Sequence, residues 1–342
     1  MASENTRLLV LEKAGRLMTT SSAKPTTLEP NEVMIRLNTV AINPADTKMI
    51  DQGHRVTSWP LVPGLDGAGV IEAVGDHVKD FAPGDGVLAM FTPGDRGAAF
   101  QNFAVVSDGM VAKKPKAWSF QGAATLGVCY LTAVVALGIG LRVSLPFLRG
   151  RPTTAFQPSS VLILGGSSAL GAASIQLLRL AVPDCKILAT SSPKHHHHLT
   201  SILGADAALD RDSSSLIADA RAASPGSRGV DAIIDTVGAG MDQRDIFETF
   251  DENGPKRYAQ VWTGEDEIQV PDGVDSILFR GRDVTQLPGG ESIMLALQTL
   301  LQDGRYKLPI PVRGVGHGFE ALERGLELMR NGVSCEKLVV TL

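Results

Sequence analysis

Ser160-Val161-Leu162-Ile163-Leu164-Gly165-Gly166-Ser167-Ser168-Ala169-Leu170-Gly171 decides the fold. It reads as a buried β-strand, a tight turn of small residues and the start of a helix. That sequence of elements is the phosphate-binding unit of a dinucleotide-binding fold. In the G-x-G-x-x-G frame Gly166 and Gly171 hold the outer positions, and Ser168 replaces the middle glycine. Small side chains let the backbone of Gly166, Ser167, Ser168, Ala169 and Leu170 approach a pyrophosphate. A helix expected over 172–180 aims its N-terminal N–H groups and dipole at the anion.

About twenty residues further on, a second strand is expected over 185–190. An NAD fold places an acid at the end of this strand, on the ribose 2′-hydroxyl. Here the strand runs into Ser191-Ser192-Pro193-Lys194-His195, which offers hydroxyls and a cation and no acid. A carboxylate repels a 2′-phosphate, whereas serines and a lysine attract it. The reading is therefore NADPH rather than NADH, against the plainer reading of Lys194 as a solvated first-turn residue.

A chain of 342 residues has room for two domains, and 44% hydrophobic content with 36 glycines suits a turn-rich α/β enzyme. The net charge of −5 carries no basic footprint for nucleic acid. Cys129, Cys185 and Cys335 are far apart and odd in number, so no disulfide framework follows and a reducing compartment is expected. Met1-Ala2-Ser3-Glu4-Asn5 shows no charged segment ahead of an apolar core, so no secretory signal is read and a cytoplasmic location is expected. The apolar stretch 126–145 is broken by Gly127, Thr132, Gly138, Gly140 and Arg142, and is read as a buried helix rather than a membrane span.

Residues 7–115 alternate in short runs with Gly/Pro punctuation, with strands expected at 33–40, 69–75, 87–90 and 100–106; this suggests a small barrel-like unit. From about Phe120 strands and helices alternate, which implies a parallel sheet with right-handed crossovers. Further strands are expected at 230–235 and 256–262, with an edge strand at 276–279. Helices follow at 291–302 and 318–331, and a last strand at 337–342 is expected to return to the first unit. The segment 140–158, with its prolines, arginines and Thr153-Thr154, reads as an irregular loop.

Taken in order, Ala41-Ile42-Asn43-Pro44-Ala45-Asp46-Thr47-Lys48, Pro63-Gly64-Leu65-Asp66-Gly67-Ala68-Gly69-Val70-Ile71, Pro83-Gly84-Asp85, Leu131-Thr132-Ala133, the Gly165–Gly171 turn and the ending from Gly325-Leu326-Glu327 span nearly the whole chain. On these motifs the chain resembles the medium-chain dehydrogenase/reductase superfamily, in its zinc-free quinone-oxidoreductase and enoyl-reductase branch. The Asn-Pro-x-Asp-x-Lys form, the Gly-Gly-Ser-Ser turn and the Ser-Pro-Lys-His run look most like the fungal enoyl reductases that act in trans for polyketide synthases.

The resemblance implies an α/β chain of two parts. A GroES-like β-rich catalytic domain is expected from 1–122 and 286–342. An inserted Rossmann domain, a doubly wound parallel sheet, is expected over 123–285, with the cofactor cleft between them. Zinc-dependent relatives hold their catalytic metal with a cysteine near the first motif and a His-Glu pair in the second. Here Asn43 or a neighbour stands at the first position and Leu65-Asp66 at the second, and three cysteines cannot supply a four-cysteine structural lobe. No metal site is therefore expected. In His195-His196-His197-His198 only His195 and His198 share a helix face, and the run is read as a solvated helix start near the cofactor rather than a metal site.

Without a Lewis acid, alkoxide chemistry loses its usual stabilisation, and conjugate reduction, in which charge spreads into an enolate, is the chemistry expected. The implied function is NADPH-dependent reduction of the C=C bond of an α,β-unsaturated carbonyl. Cofactor contacts are expected from Ala45, Asp46, Thr47 and Lys48, from the 166–170 cradle, from Ser191, Ser192, Pro193, Lys194, His195 and Arg211, and from Val333 and Ser334. Relatives often carry tyrosine at the Arg211 position, packed on the adenine, where an arginine can stack and add charge. Lys48, Asn43 and Thr132 are the catalytic candidates, with Lys48 assigned either to the enolate oxygen or to the nicotinamide ribose. The α-carbon proton is expected from water. Trp59, Phe91, Val128, Trp262 and Phe279 are the substrate candidates; Trp59, Phe91 and Trp262 each read equally well as core. An NADPH quinone or small-enone reductase shares every motif used, and a redox-inactive relative that binds or cyclises its ligand is a third reading. The expected partners are a small-molecule or carrier-bound enoyl substrate and a polyketide synthase, with no nucleic acid and no membrane; monomer and homodimer are both compatible with the sequence.

Overall fold

The computed structural model describes residues 4–150, 155–262 and 267–342; Thr153 and Thr154 lie outside the described residues. The chain divides into two compact units, Met1–Val128 with Ile293–Leu342, and Cys129–Ser292. These boundaries fall slightly C-terminal to the 122/123 and 285/286 positions expected from sequence.

In the first unit β1 (Glu4–Val10) and β2 (Leu17–Ala23) form an antiparallel hairpin. There follow β3 (Glu32–Ala41), α1 (Pro44–Gln52), β4 (Asp66–Val74), β5 (Gly86–Met90), β6 (Phe103–Ser107), β7 (Val111–Lys113) and α2 (Phe120–Ala124). In the second unit come α3 (Gly127–Val135, its first two residues belonging to the first unit), β8 (Ser160–Leu164), α4 (Ala169–Ala181), β9 (Lys186–Ser191), β10 (Ala207–Asp210), α5 (Leu216–Ala223), β11 (Ala232–Asp235), β12 (Arg257–Val261) and β13 (Asp275–Phe279). The chain then returns to the first unit through α6 (Ile293–Gln302), β14 (Val312–His317), α7 (Phe319–Arg330) and β15 (Lys337–Thr341).

The first unit is built on one sheet in the order β14-β15-β3-β4-β5-β7, with β6 also paired to β3. The alternation of β3 sends Val33, Ile35 and Leu37 into a core with Val87, Phe91, Phe100, Leu322, Leu338 and Val340. The last strand does return as expected: β15 lies antiparallel on β3, with Val339 opposite Ala41 and Val340 opposite Val40.

The second unit is a six-stranded parallel sheet in the order β10-β9-β8-β11-β12-β13. Counted within the unit this is 3-2-1-4-5-6, the order of the doubly wound dinucleotide-binding fold, and the order reverses between β8 and β11. Every residue of β8 and β11 is buried, as expected of central parallel strands covered on both faces. The apolar stretch expected as one buried helix over 126–145 is instead interrupted: α3 ends at Val135 and a single π-helical turn runs through Ala136–Gly140. The span Phe120–Gly140 is apolar and long enough to cross a membrane, yet 78% of its most apolar window is buried inside the molecule. Its hydrophobicity is that of a core helix, and the π turn lies against Ala259 and Phe279 of β12 and β13.

Candidate functional site

In the second unit the site begins at the carboxyl end of β8. Gly165 adopts a left-handed conformation, φ +75°, and any Cβ there would come within 2.4 Å of Val237. Both constraints demand glycine. A Cβ on Gly166 would lie 2.8 Å from the Ala189 methyl, so glycine also lets the turn sit down on β9. The Gly165 amide donates to the Thr190 hydroxyl at 3.0 Å and the Gly166 amide to the Thr190 carbonyl at 2.8 Å. Ser168 is the N-cap of α4, its hydroxyl accepting the Gly171 amide at 2.9 Å and meeting the Thr236 hydroxyl at 3.0 Å. Because Ser168 caps the helix, α4 starts at Ala169, three residues before the expected position. The first helical amides, of Ala169 and Leu170, have no intrahelical acceptor and sit at the positive end of the helix. A backbone cradle, at the switch point of the sheet, is thus shaped for an anionic group.

The strand expected over 185–190 spans Lys186–Ser191. Ser191 is therefore inside the strand, buried, with its hydroxyl donating to the Ser192 carbonyl at 3.1 Å. The reading of Ser191 as a side-chain contact is corrected: Ser192 is the hydroxyl left at the strand end. Pro193–His195 forms a 3-10 turn, with Lys194 exposed and His195 half-buried. Parallel pairing of β9 with β10 sets Asp210 beside Ser191, and the Arg211 amide donates to the Ser191 carbonyl at 3.1 Å. The Arg211 guanidinium is exposed and lies 3.4 Å from Asp212. Burial, then the charges of Lys194, His198, Arg211 and His196, push the His195 imidazole below its ordinary pKa. Among the described residues no group of three His, Cys, Asp or Glu side chains is placed to hold a metal ion.

The Asp235 carboxylate, wholly buried at the end of β11, shapes the next loop: Oδ1 accepts the amides of Val237, Gly238 and Ala239, and Oδ2 accepts that of Gly240. Thr236 donates its hydroxyl to the Leu164 carbonyl at 2.7 Å, tying this loop to the cradle. Thr190, Thr236 and Asp235 were not read from sequence. The only signal was their position just inside or after strands of the sheet.

In the first unit Asn43, Asp46 and Asp66 meet a residue the sequence did not single out, Lys337. Asn43 accepts a hydrogen bond from the Lys337 ammonium on Oδ1 and donates from Nδ2 to Asp66 Oδ2 at 3.0 Å. Lys337 Nζ lies 3.3 Å from the same Asp66 oxygen, and Asp66 Oδ1 accepts the Val128 amide at 2.7 Å. Asn43 is buried and its amide is engaged on both ends, so its assignment as a catalytic donor is corrected to a structural clamp. Asp46 is also buried, its Oδ2 accepting the Asn43 amide at 2.7 Å, so its carboxylate is turned inward rather than toward a cofactor. Burial raises the Asp46 pKa to about 7, against the lowering effects of the Asn43 amide and the Lys337 charge.

Thr47 is buried, with its hydroxyl on the Pro44 carbonyl at 2.9 Å, whereas Ala45 and Lys48 are half-buried on α1. Val333 is half-buried and Ser334 exposed ahead of β15. Thr132 is half-buried on α3, where a Cβ on Gly281 would lie 3.3 Å from its hydroxyl. Of the substrate candidates, Phe91 and Phe279 are fully buried in the cores of their respective units and are corrected to core residues. Trp59 and Val128 remain half-buried in the first unit. Trp262 remains half-buried at the carboxyl end of β12, with the Arg280 guanidinium over its ring at 4.3 Å.

Residues 29–116 match the alcohol dehydrogenase GroES-like domain family. The chain is 32% identical over 356 residues to the enoyl reductase component of the lovastatin nonaketide synthase of Aspergillus terreus, covering 95% of this chain and 93% of that protein. The chain belongs to the medium-chain dehydrogenase/reductase family, in its enoyl-reductase branch. It is also 28% identical over 318 residues to a trans-enoyl reductase of Aspergillus japonicus, across 90% of this chain and 89% of the relative. The crystal structure of the CurK enoyl reductase superposes with a TM-score of 0.79 at 23% identity over 98% of this chain and 99% of that one, which is a likeness of fold. As a member of this family the chain is an oxidoreductase with a pyridine nucleotide as its expected cofactor.

Proposed function

We propose that this reductase uses NADPH to reduce the C=C bond of an α,β-unsaturated carbonyl compound, in trans to a polyketide synthase and without zinc. Full-length similarity to an enoyl reductase component that serves a nonaketide synthase carries the reading of the reaction. The strand end after β9 supports the cofactor: Ser192 and His195 offer donors, and Lys194 and Arg211 donors with positive charge, to a phosphate. The backbone cradle at Gly165–Leu170 fits the pyrophosphate, since the first amides of α4 have no intrahelical acceptor and glycine at 165 and 166 lets the turn pack closely on Val237 and Ala189.

Bound NADPH supplies the hydride equivalent for the substrate β-carbon. The negative charge that develops on the carbonyl oxygen then requires a fixed donor. Lys48 on α1 is the candidate, either on that oxygen or on the nicotinamide ribose. Asn43 leaves the list because Lys337 and Asp66 engage its amide. The same arrangement supports zinc independence: an ammonium already lies against Asn43 Oδ1 and Asp66 Oδ2, and a divalent cation there would meet like charge.

The test is NADPH oxidation by the purified protein with an enoyl thioester, a free enone and a quinone, with and without a strong chelator. Saturated thioester and chelator-insensitive turnover are expected. Turnover confined to quinones, or lost with one tightly held zinc per chain, would overturn the reading.

A further inference from the structure

We propose that Lys337 is a positioning residue: its buried ammonium clamps Asn43 against Asp66 and so fixes the amino end of α1, the helix that carries Lys48. The clamp joins four segments far apart in sequence. Sheet register brings Lys337 to it, because Val339 lies opposite Ala41 and the Ile42 amide donates to the Leu338 carbonyl at 3.0 Å. Asp66 begins β4 and Val128 lies in the first turn of α3. The approach of α3 to Asp66 requires Gly127, where a Cβ would lie 2.7 Å from Asp66 Oδ1.

The Lys337 side chain is 4% exposed and that of Asp66 is fully buried. A pair of this kind offers little net stability over an apolar pair of the same volume, because desolvation offsets the attraction. Its consequence lies in direction. Lys337 and Asp66 take both ends of the Asn43 side-chain amide, while the Asn43 backbone N–H donates to Asp46 Oδ2 at the start of α1, so the clamp holds the residue that caps the helix. The other end of α1 is tied to the same C-terminal segment: Arg330 of α7 grips Asp51 with two bonds of 2.8 Å. The helix is thus anchored at both ends by cations from the chain's last residues. A shift of about 1 Å in a positioned group can cost as much as 10²-fold in rate.

The inference rests on the reading that Lys48 serves the reaction, and the experiment separates the two. Lys337→Met with Asp66→Asn removes both buried charges together, and Asn43→Ala leaves the ion pair intact while opening the clamp. In both, hydrogen exchange over residues 44–52 is expected to quicken by about tenfold relative to the parallel sheet of the second unit. Turnover is expected to fall by about tenfold or more, with KM for NADPH nearly unchanged if Lys48 serves the enolate oxygen, and the combination with Lys48→Ala is expected to be no slower than Lys48→Ala alone. Native exchange over 44–52 in either folded variant would overturn the clamp, as would additive losses with Lys48→Ala. A fully active Lys48→Ala would instead remove Lys48 from the reaction, while the exchange result still judges the clamp on its own.

Discussion

Tyr258 donates its hydroxyl to the Asp235 carboxylate at 2.6 Å, adding a fifth donor to the four backbone amides already on that group. Burial, with the Asp235 charge and the hydrogen bond, pushes the Tyr258 phenol well above its ordinary pKa, so it stays a donor throughout the working range. Tyr258→Phe keeps the ring against Phe247, whose centroid is 5.0 Å away, and removes one bond to a charged acceptor. A loss of about 1.5–3 kcal/mol is expected in denaturant unfolding. Asp235→Ala, which orphans four amides and a hydroxyl, is expected to be worse and to weaken cofactor binding. Equal stability of Tyr258→Phe and the native chain would show that the bond carries nothing.

Lys194→Glu places a carboxylate beside Ser192 and His195, where the 2′-phosphate is assigned. NADPH is expected to lose about 1.5–3 kcal/mol of binding, and NADH much less. Titration calorimetry with both nucleotides decides; a uniform loss would remove Lys194 from the phosphate site.

Lys48→Ala removes a half-buried side chain from α1, so melting should change little. As an enolate donor Lys48 is expected to contribute about 10²-fold or more to turnover. As a ribose contact it would contribute chiefly to NADPH affinity. Unchanged turnover together with unchanged affinity would exclude both roles.

Asp46 gives a pH signature. Its folded pKa, about 7, lies above the ordinary 3.8, so the folded chain binds more protons than the unfolded chain between those values. The contribution of Asp46 to stability is therefore full below about pH 4 and is lost as pH rises through 7. Asp46→Asn keeps an oxygen for the Asn43 amide and abolishes this slope. Unfolding at pH 5 to 8 should show the variant gaining on the native chain as pH rises. A difference that does not change with pH would contradict the assignment.

Phe91→Ala separates core from pocket. With Phe91 fully buried in the first unit, the expected loss is about 3–5 kcal/mol of stability with substrate preference retained. A stable variant with altered substrate preference would restore Phe91 to the pocket.

Sequence alone determined the elements whose signals are contiguous. The cradle is a run of twelve residues in which strand, turn and cap are neighbours along the chain, so apolar pattern and small residues identified it. The family's ordered motifs extended that reading to both domains, and the absence of an acid after β9 needed only the residues that follow the strand. What sequence could not determine is which side chains meet. Asn43 was read as a catalytic candidate because its motif is local, but its burial depends on Lys337, 294 residues away, which β15 brings to it by pairing with β3. Phe91 was open between pocket and core, and Phe279 was read as a substrate contact, for the same reason, since an aromatic at a strand end gives no sign of what packs over it. The tertiary structure decided these cases because burial and hydrogen-bond partners are set by sheet order and register, which bring together residues that sequence leaves far apart.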